Sequence, residues 1–264
     1  MTQGARVFAA QRYRLSTLKV ASHLLVAVVA GRKTLHACGR TVRALQGHGV
    51  MIARGTQWDV VNDPCGRRQY EAWALAFDDA MVCALPKSVT QPTRVASPAQ
   101  VLALDDQVLE AIRRTLPGER QTSKTLLAHR STEVLLMLAE RGWSFPPSRD
   151  LSWAERIQRM VSQRPDADWS ASAIASGFHM SESSVRRRLQ DGPQTLAALV
   201  RDARLQAALG MLQSTDLSVG EVAQSCGWAS HSRFSAAFQA RWGVAPSVVR
   251  SRMKETAQNL TGSG

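Results

Sequence analysis

Arg186-Arg187-Arg188 is the run of side chains best suited to gripping a charged partner. A guanidinium presents forked donors that fit guanine O6 and N7, or a pair of phosphate oxygens. The other reactive residue types form no working set. Cys38, Cys65, Cys83 and Cys226 lie far apart, with no CxxC or CxxxC pair. That spacing points to reduced structural thiols and away from a zinc ribbon or a disulfide scaffold. His36 is near Cys38, but residues two apart on a strand share a face by period alone. His23, His36 and His48 are scattered, without the clustered carboxylates of a metal site. The sequence therefore leads to no cofactor, no metal and no catalytic residue.

Whether three arginines can act together depends on the elements that carry them. Ser170 can cap a helix starting near Ala171, with Ile174 and Ala175 facing inward. Gly177-Phe178-His179-Met180 then reads as a turn, and Ser181 caps a second helix that buries Val185 and Leu189 and carries the arginines. The plan recurs downstream. Ser218 with Glu221 fits a capping box, Val222-Ala223 repeats Ile174-Ala175, and Gly227-Trp228 marks the turn. Ser230 caps the next helix, where Phe234 and Phe238 take the places of Val185 and Leu189. Ser181 to Ser230 and Leu189 to Phe238 are each 49 residues, the mark of an internal repeat. A long apolar-striped helix, Thr195–Gln213, joins the copies. Two helix-turn-helix units held this way can enter successive major grooves about 34 Å apart. His179 is expected in solvent, and His231 exposed beside its helix cap.

The rest of the chain has a different character. Of the net charge of +12, residues 1–97 contribute 13 basic against 5 acidic residues, whereas 165–264 carry 10 against 8. The basic excess thus lies away from the repeat, and charge alone does not choose between nucleic acid and an anionic surface. Strands are expected at His23–Ala30, Arg40–Leu45, Val50–Ile52, Trp58–Val61 and Tyr70–Phe77, with Gly and Pro between them, as in a small barrel or sandwich. Pro86 to Pro98 reads as a boundary. Beyond it, helices are expected over 99–115, Thr125 to Arg141 and 151–162. The apolar stripe of the second of these serves either a core or a homodimer contact. The run Leu24–Ala30 has seven residues, far short of the roughly 20 a spanning helix needs, so a cytoplasmic protein with no membrane role is expected.

Residues 165–252 resemble the DNA-binding domain of AraC/XylS-family transcription regulators. The resemblance rests on Leu217 to Phe238, on Trp242-Gly243-Val244-Ala245-Pro246, on Arg250, and on Arg204 and Ala208 before Met211-Leu212. It covers about a third of the chain. It implies double-stranded DNA as partner, RNA polymerase as a second one, and activation more than repression. Carried over by position, the first unit presents Glu182, Ser183, Arg186 and Arg187, with Arg188 beside them. The second presents His231, Ser232, Arg233 and Ser235. Two departures matter: Leu189 stands where the family commonly has an aromatic, and Ala236 where it often has arginine.

More faintly, residues 20–85 resemble the family's cupin-like regulatory domain, which implies a small-molecule or protein effector. Arg54, Trp58, Tyr70 and Trp73 are the candidate lining groups, although the tryptophans could equally fill the core. The expected fold class is α+β. Residues 1–97 form a cupin-like β domain, 98–164 a helical linker and dimerisation region, and 165–254 an all-α domain with two helix-turn-helix units. Two other readings stand beside a transcription regulator: a DNA-binding fusion with enzymatic activity, and a partner-binding protein that has lost DNA binding.

Overall fold

The computed structural model describes residues 4–37, 39–85, 94–96, 98–117, 122–146, 150–190, 192 and 194–250. Cys38, Pro86, Pro92 and residues 251–254 of the expected DNA-binding domain lie outside them. The N-terminal part is built from β1 (Gly4–Ala9), β2 (Tyr13–Lys19), β3 (His23–Ala30), β4 (Arg32–Ala37), β5 (Arg40–Leu45), β6 (His48–Ile52), β7 (Gln57–Asp63), β8 (Tyr70–Phe77), α1 (Asp79–Cys83), β9 (Arg94–Val95) and β10 (Ala99–Ala103). Helices α2 (Asp106–Arg113) and α3 (Lys124–Glu140) follow, then β11 (Trp143–Ser144) and α4 (Trp153–Gln163). The C-terminal part comprises α5 (Ala171–Gly177), α6 (Glu182–Gln190), α7 (Leu196–Ser214), α8 (Val219–Ser225), α9 (His231–Trp242) and α10 (Pro246–Val249).

Two antiparallel sheets, ordered β1-β8-β3-β6-β10 and β2-β7-β4-β5, face each other. The apolar run in β3 has a simple cause. Val26 and Val28 enter the core between the sheets, while Leu25 and Ala27 enter a second core against α2 and α3. A strand covered on both faces reads as continuously apolar. β8 divides in the same way, Tyr70 and Ala72 facing one core, Leu75 and Phe77 the other.

Both sheets are open, which overturns the expectation of a closed, cupin-like domain. Among the described residues no ladder joins β5 to β10 or β1 to β2. At the first edge the link is one side chain, Arg40 Nη2 donating to the Ala99 carbonyl at 3.2 Å. At the second, β1 runs so close to the end of α2 that a Cβ on Gly4 would lie 2.6 Å from the Thr115 carbonyl oxygen. The helix expected over 99–115 is also corrected at its start. Ala99–Ala103 pairs with β6, and Asp105 then caps α2 by accepting from the Val108 N–H.

A hydrogen-bond chain crosses the inter-sheet core. Buried Lys33 donates to Asn62, Asn62 donates to the Tyr13 hydroxyl, and Gln213 of α7 donates to the same hydroxyl. Burial pulls the Lys33 ammonium down to about 8. The inter-sheet core runs on without a break into Leu205, Leu209, Phe234, Phe238 and Trp242. A third core is separate and holds Ile157 and Val161 of α4 with Ile174, Val185 and Leu199.

Candidate nucleic-acid interface

The repeat read from the sequence is present as two helix pairs. Ser170 accepts from the Ala173 N–H to open α5. Ser218 and Glu221 form a reciprocal capping box at α8. Ser181 and Ser230 accept from the amides of Ser184 and Arg233 at the starts of α6 and α9. The turns differ in one respect. Both place a residue in the left-handed region, Gly227 at φ 73° and His179 at φ 53°. Glycine is required at 227, because a Cβ there would lie 2.9 Å from the Arg204 guanidinium and from the Pro165 carbonyl oxygen. Arg204 itself donates to the Pro165 and Ala167 carbonyls, both at 2.9 Å. It thereby ties the approach to the first unit to the turn of the second. Arg250 closes the other end by donating to the Asp216 and Leu217 carbonyls.

The positions expected to meet DNA lie mostly in solvent. Glu182, Ser183, Arg186, Arg187 and Arg188 are exposed on α6, and His231, Ser232 and Arg233 on α9, with Ser235 half-buried. Val185 and Leu189 point inward opposite them, as do Phe234 and Phe238. Arg186 makes a loose i,i+4 pair with Glu182 at 3.9 Å. Arg188 differs from its neighbours, its guanidinium lying 4.2 Å from the ring centre of Trp153. Trp153 was read only as part of a helix. Helical period sets Arg188 apart from Arg186 and Arg187, but no sequence signal places Trp153 beside it. Cys226 is buried and its thiol is pushed up to about 11, so it stays protonated at neutral pH.

The candidate effector residues do not converge. Trp58 and Tyr70 are buried between the sheets, whereas Trp73 packs on the other side and donates to Glu71. Arg54 alone of the four lines a cavity of about 280 Å3, where the β sheets, α4, α7 and α9 meet. Lys19 faces Glu155 of α4 there at 3.9 Å, and Asp78 faces Arg159 at 3.9 Å. Arg241 of α9 reaches the bulge in β2, donating to Thr17 Oγ1 at 3.0 Å and to its carbonyl at 3.2 Å. Among the described residues no cluster of ligand-type side chains could hold a metal, and no helix is long and apolar enough to cross a membrane.

Residues 174–252 match the family described as a helix-turn-helix domain. The HTH-type transcriptional regulator YdeO of Escherichia coli is 30% identical over 99 residues, 38% of this chain and 39% of that protein. The RCS-specific HTH-type transcriptional activator RclR of the same organism is 36% identical over 103 residues, covering 38% and 36%. The chain thus spans about two fifths of the length of these relatives. The urease operon transcriptional activator of E. coli matches over 71% of the chain and 65% of its own length, at 23% identity. Among solved structures, ToxT of Vibrio cholerae superposes with a TM-score of 0.59 over 94% of this chain and 93% of its own, at 13% identity. That likeness is one of fold.

Proposed function

We propose that this chain, whose C-terminal part is a helix-turn-helix domain of the AraC/XylS type, is a sequence-specific DNA-binding regulator that activates transcription. The observation that carries the reading is the pair of helix-turn-helix units with outward-facing polar helices, α6 and α9. Phosphate contacts from arginines and helix N-termini supply affinity, and a few base-edge contacts supply selectivity. Its partners are double-stranded DNA and RNA polymerase at the promoter. A second copy of the chain is a further partner, for which Leu126, 43% exposed on α3, is available. The work is reversible binding, in keeping with its likeness to proteins named as transcriptional regulators and activators.

The N-terminal part senses an effector in the cavity between the sheets and α4. Of the carboxylates that line the cavity, Glu155 is held by Ser152, Asp78 by the Met81 amide and Asp79 by Arg54, with Asp202 on the α7 side. Lys19 and Arg159 meet theirs only at 3.9 Å. The proposed effector is a small organic anion, met by Lys19 and Arg159, the lining cations with the longest ion pairs. ToxT has been solved with an unsaturated fatty acid bound. Binding of oleate, read as a rise in melting temperature that Lys19→Ala abolishes, supports this part; no shift at saturating oleate and at saturating short-chain carboxylates contradicts it.

The DNA reading is tested by selecting duplexes from a random library with the purified protein. A recurrent bipartite site with boxes about one helical turn apart is expected. Enrichment of no sequence over the starting pool overturns the reading.

A further inference from the structure

A helix turns by about 100° per residue. With Val185 facing the core, Arg187 points away from it, and Arg186 and Arg188 leave on opposite flanks. Glu182, Ser183, Arg186 and Arg187 share one side of α6. Arg188 belongs to the other side and lies over Trp153, at the first position of α4. The same indole meets Phe178 edge-on at 5.3 Å, in the turn between α5 and α6, and Arg156 approaches it at 5.2 Å. One side chain of α4 therefore touches both the turn and the second helix of the unit. Lower down, α4 meets the β domain through Glu155 with Lys19 and Arg159 with Asp78.

We propose that Arg188 is a positioning residue rather than a DNA contact: seated on Trp153, it sets the angle at which α6 presents Arg186 and Arg187. The inference rests on the DNA-binding reading above. Stacking uses the plane of the guanidinium, so lysine is no substitute. The seat also couples that angle to the β domain, because α4 carries both Trp153 and the two ion pairs.

Affinity for the best selected duplex, measured across salt concentrations, tests the assignment. Arg188→Ala, Arg188→Lys and Trp153→Leu each weaken binding by about threefold to tenfold. The Arg188→Ala/Trp153→Leu double variant is no weaker than either single one, Trp153→Phe retains most of the affinity, and the salt slope is unchanged in all of them. A direct phosphate contact behaves differently. It lowers the slope by about one on Arg188→Ala, leaves Trp153→Leu neutral and survives as lysine, and that pattern overturns the proposal. The same double-mutant cycle on thermal unfolding reads the stack without DNA. Coupling there in a protein that selects no DNA sequence keeps the stack and rejects the functional reading; zero coupling rejects the stack itself.

Discussion

The first helix-turn-helix unit closes its core on α4, with Ile157 and Val161 against Ile174 and Val185. The second shares its core with the β sheets, where Phe234, Phe238 and Trp242 are continuous with Tyr13, Leu15 and Trp58. Their outer surfaces differ in the opposite sense. Aligned on Ser181 and Ser230, Arg186-Arg187 of the first correspond to Ser235-Ala236 of the second, and Ser184 corresponds to Arg233. The first repeat thus carries adjacent arginines at these positions, on a unit packed on α4 through an apolar core and the Arg188–Trp153 contact. The second has Ser235 and Ala236 there, with Arg233 one turn earlier, and is anchored by apolar packing to the domain proposed to sense the effector. Similar helix geometry is thus set in two different packing environments.

The largest expected effect sets the two cores against each other. Trp242→Ala removes a ring 1% exposed and 4.5 Å from the Phe238 ring. It should cost about 3–5 kcal/mol in denaturant unfolding. Amide exchange should quicken in β2 as well as in α9. Ile174→Ala should cost about 2–4 kcal/mol, with faster exchange confined to α4, α5 and α6. Equal spread from both sites would remove the distinction between the units.

The turns give a smaller contrast. Gly227→Ala meets both a positive φ and a close approach, so a loss of about 1–3 kcal/mol is expected. His179→Gly relieves a left-handed residue at the cost of chain entropy. Thermal unfolding should show a change below about 1 kcal/mol, on the stabilising side.

Acidification gives the smallest effect. His23 is 2% exposed, accepts from the Arg54 amide at 3.3 Å and lies 3.5 Å from Asp79. Burial holds its imidazole below the usual value, outweighing the pull of Asp79 in the other direction. The unfolded chain then takes up the proton first. This contribution to stability is whole above about pH 6.5 and is lost as pH falls below it. His23→Gln should flatten that part of the pH–stability profile, and an unchanged profile would discount the group.

Local chemistry was readable from the sequence where one element decides it. The serine caps, the apolar faces of the paired helices and the strands β3 and β5 to β8 follow from period and end residues, whereas β1, β2 and β4 were not expected. The repeat was visible because its core positions recur at fixed spacing. What depends on distant partners was hidden. Ala99–Ala103 became a strand because β6 offers it a ladder, against a helix-like pattern. The sheets stay open because no ladder joins β5 to β10 or β1 to β2 among the described residues, a long-range outcome that no strand sequence announces. Trp58, for which the sequence leaves a core role open, and Tyr70, for which it suggests only a ligand role, both lie in the core. The contacts of Arg241 with Thr17 join residues 224 apart and rest on a bulge in β2.

The claim that the first unit carries the electrostatic grip is tested most directly by the salt dependence of affinity on the selected duplex. Replacing Arg186 and Arg187 together by alanine should lower the log–log slope by about 1.8, and Arg233→Ala by about 0.9. A slope untouched by the double replacement, or reduced more by Arg233→Ala, would contradict it.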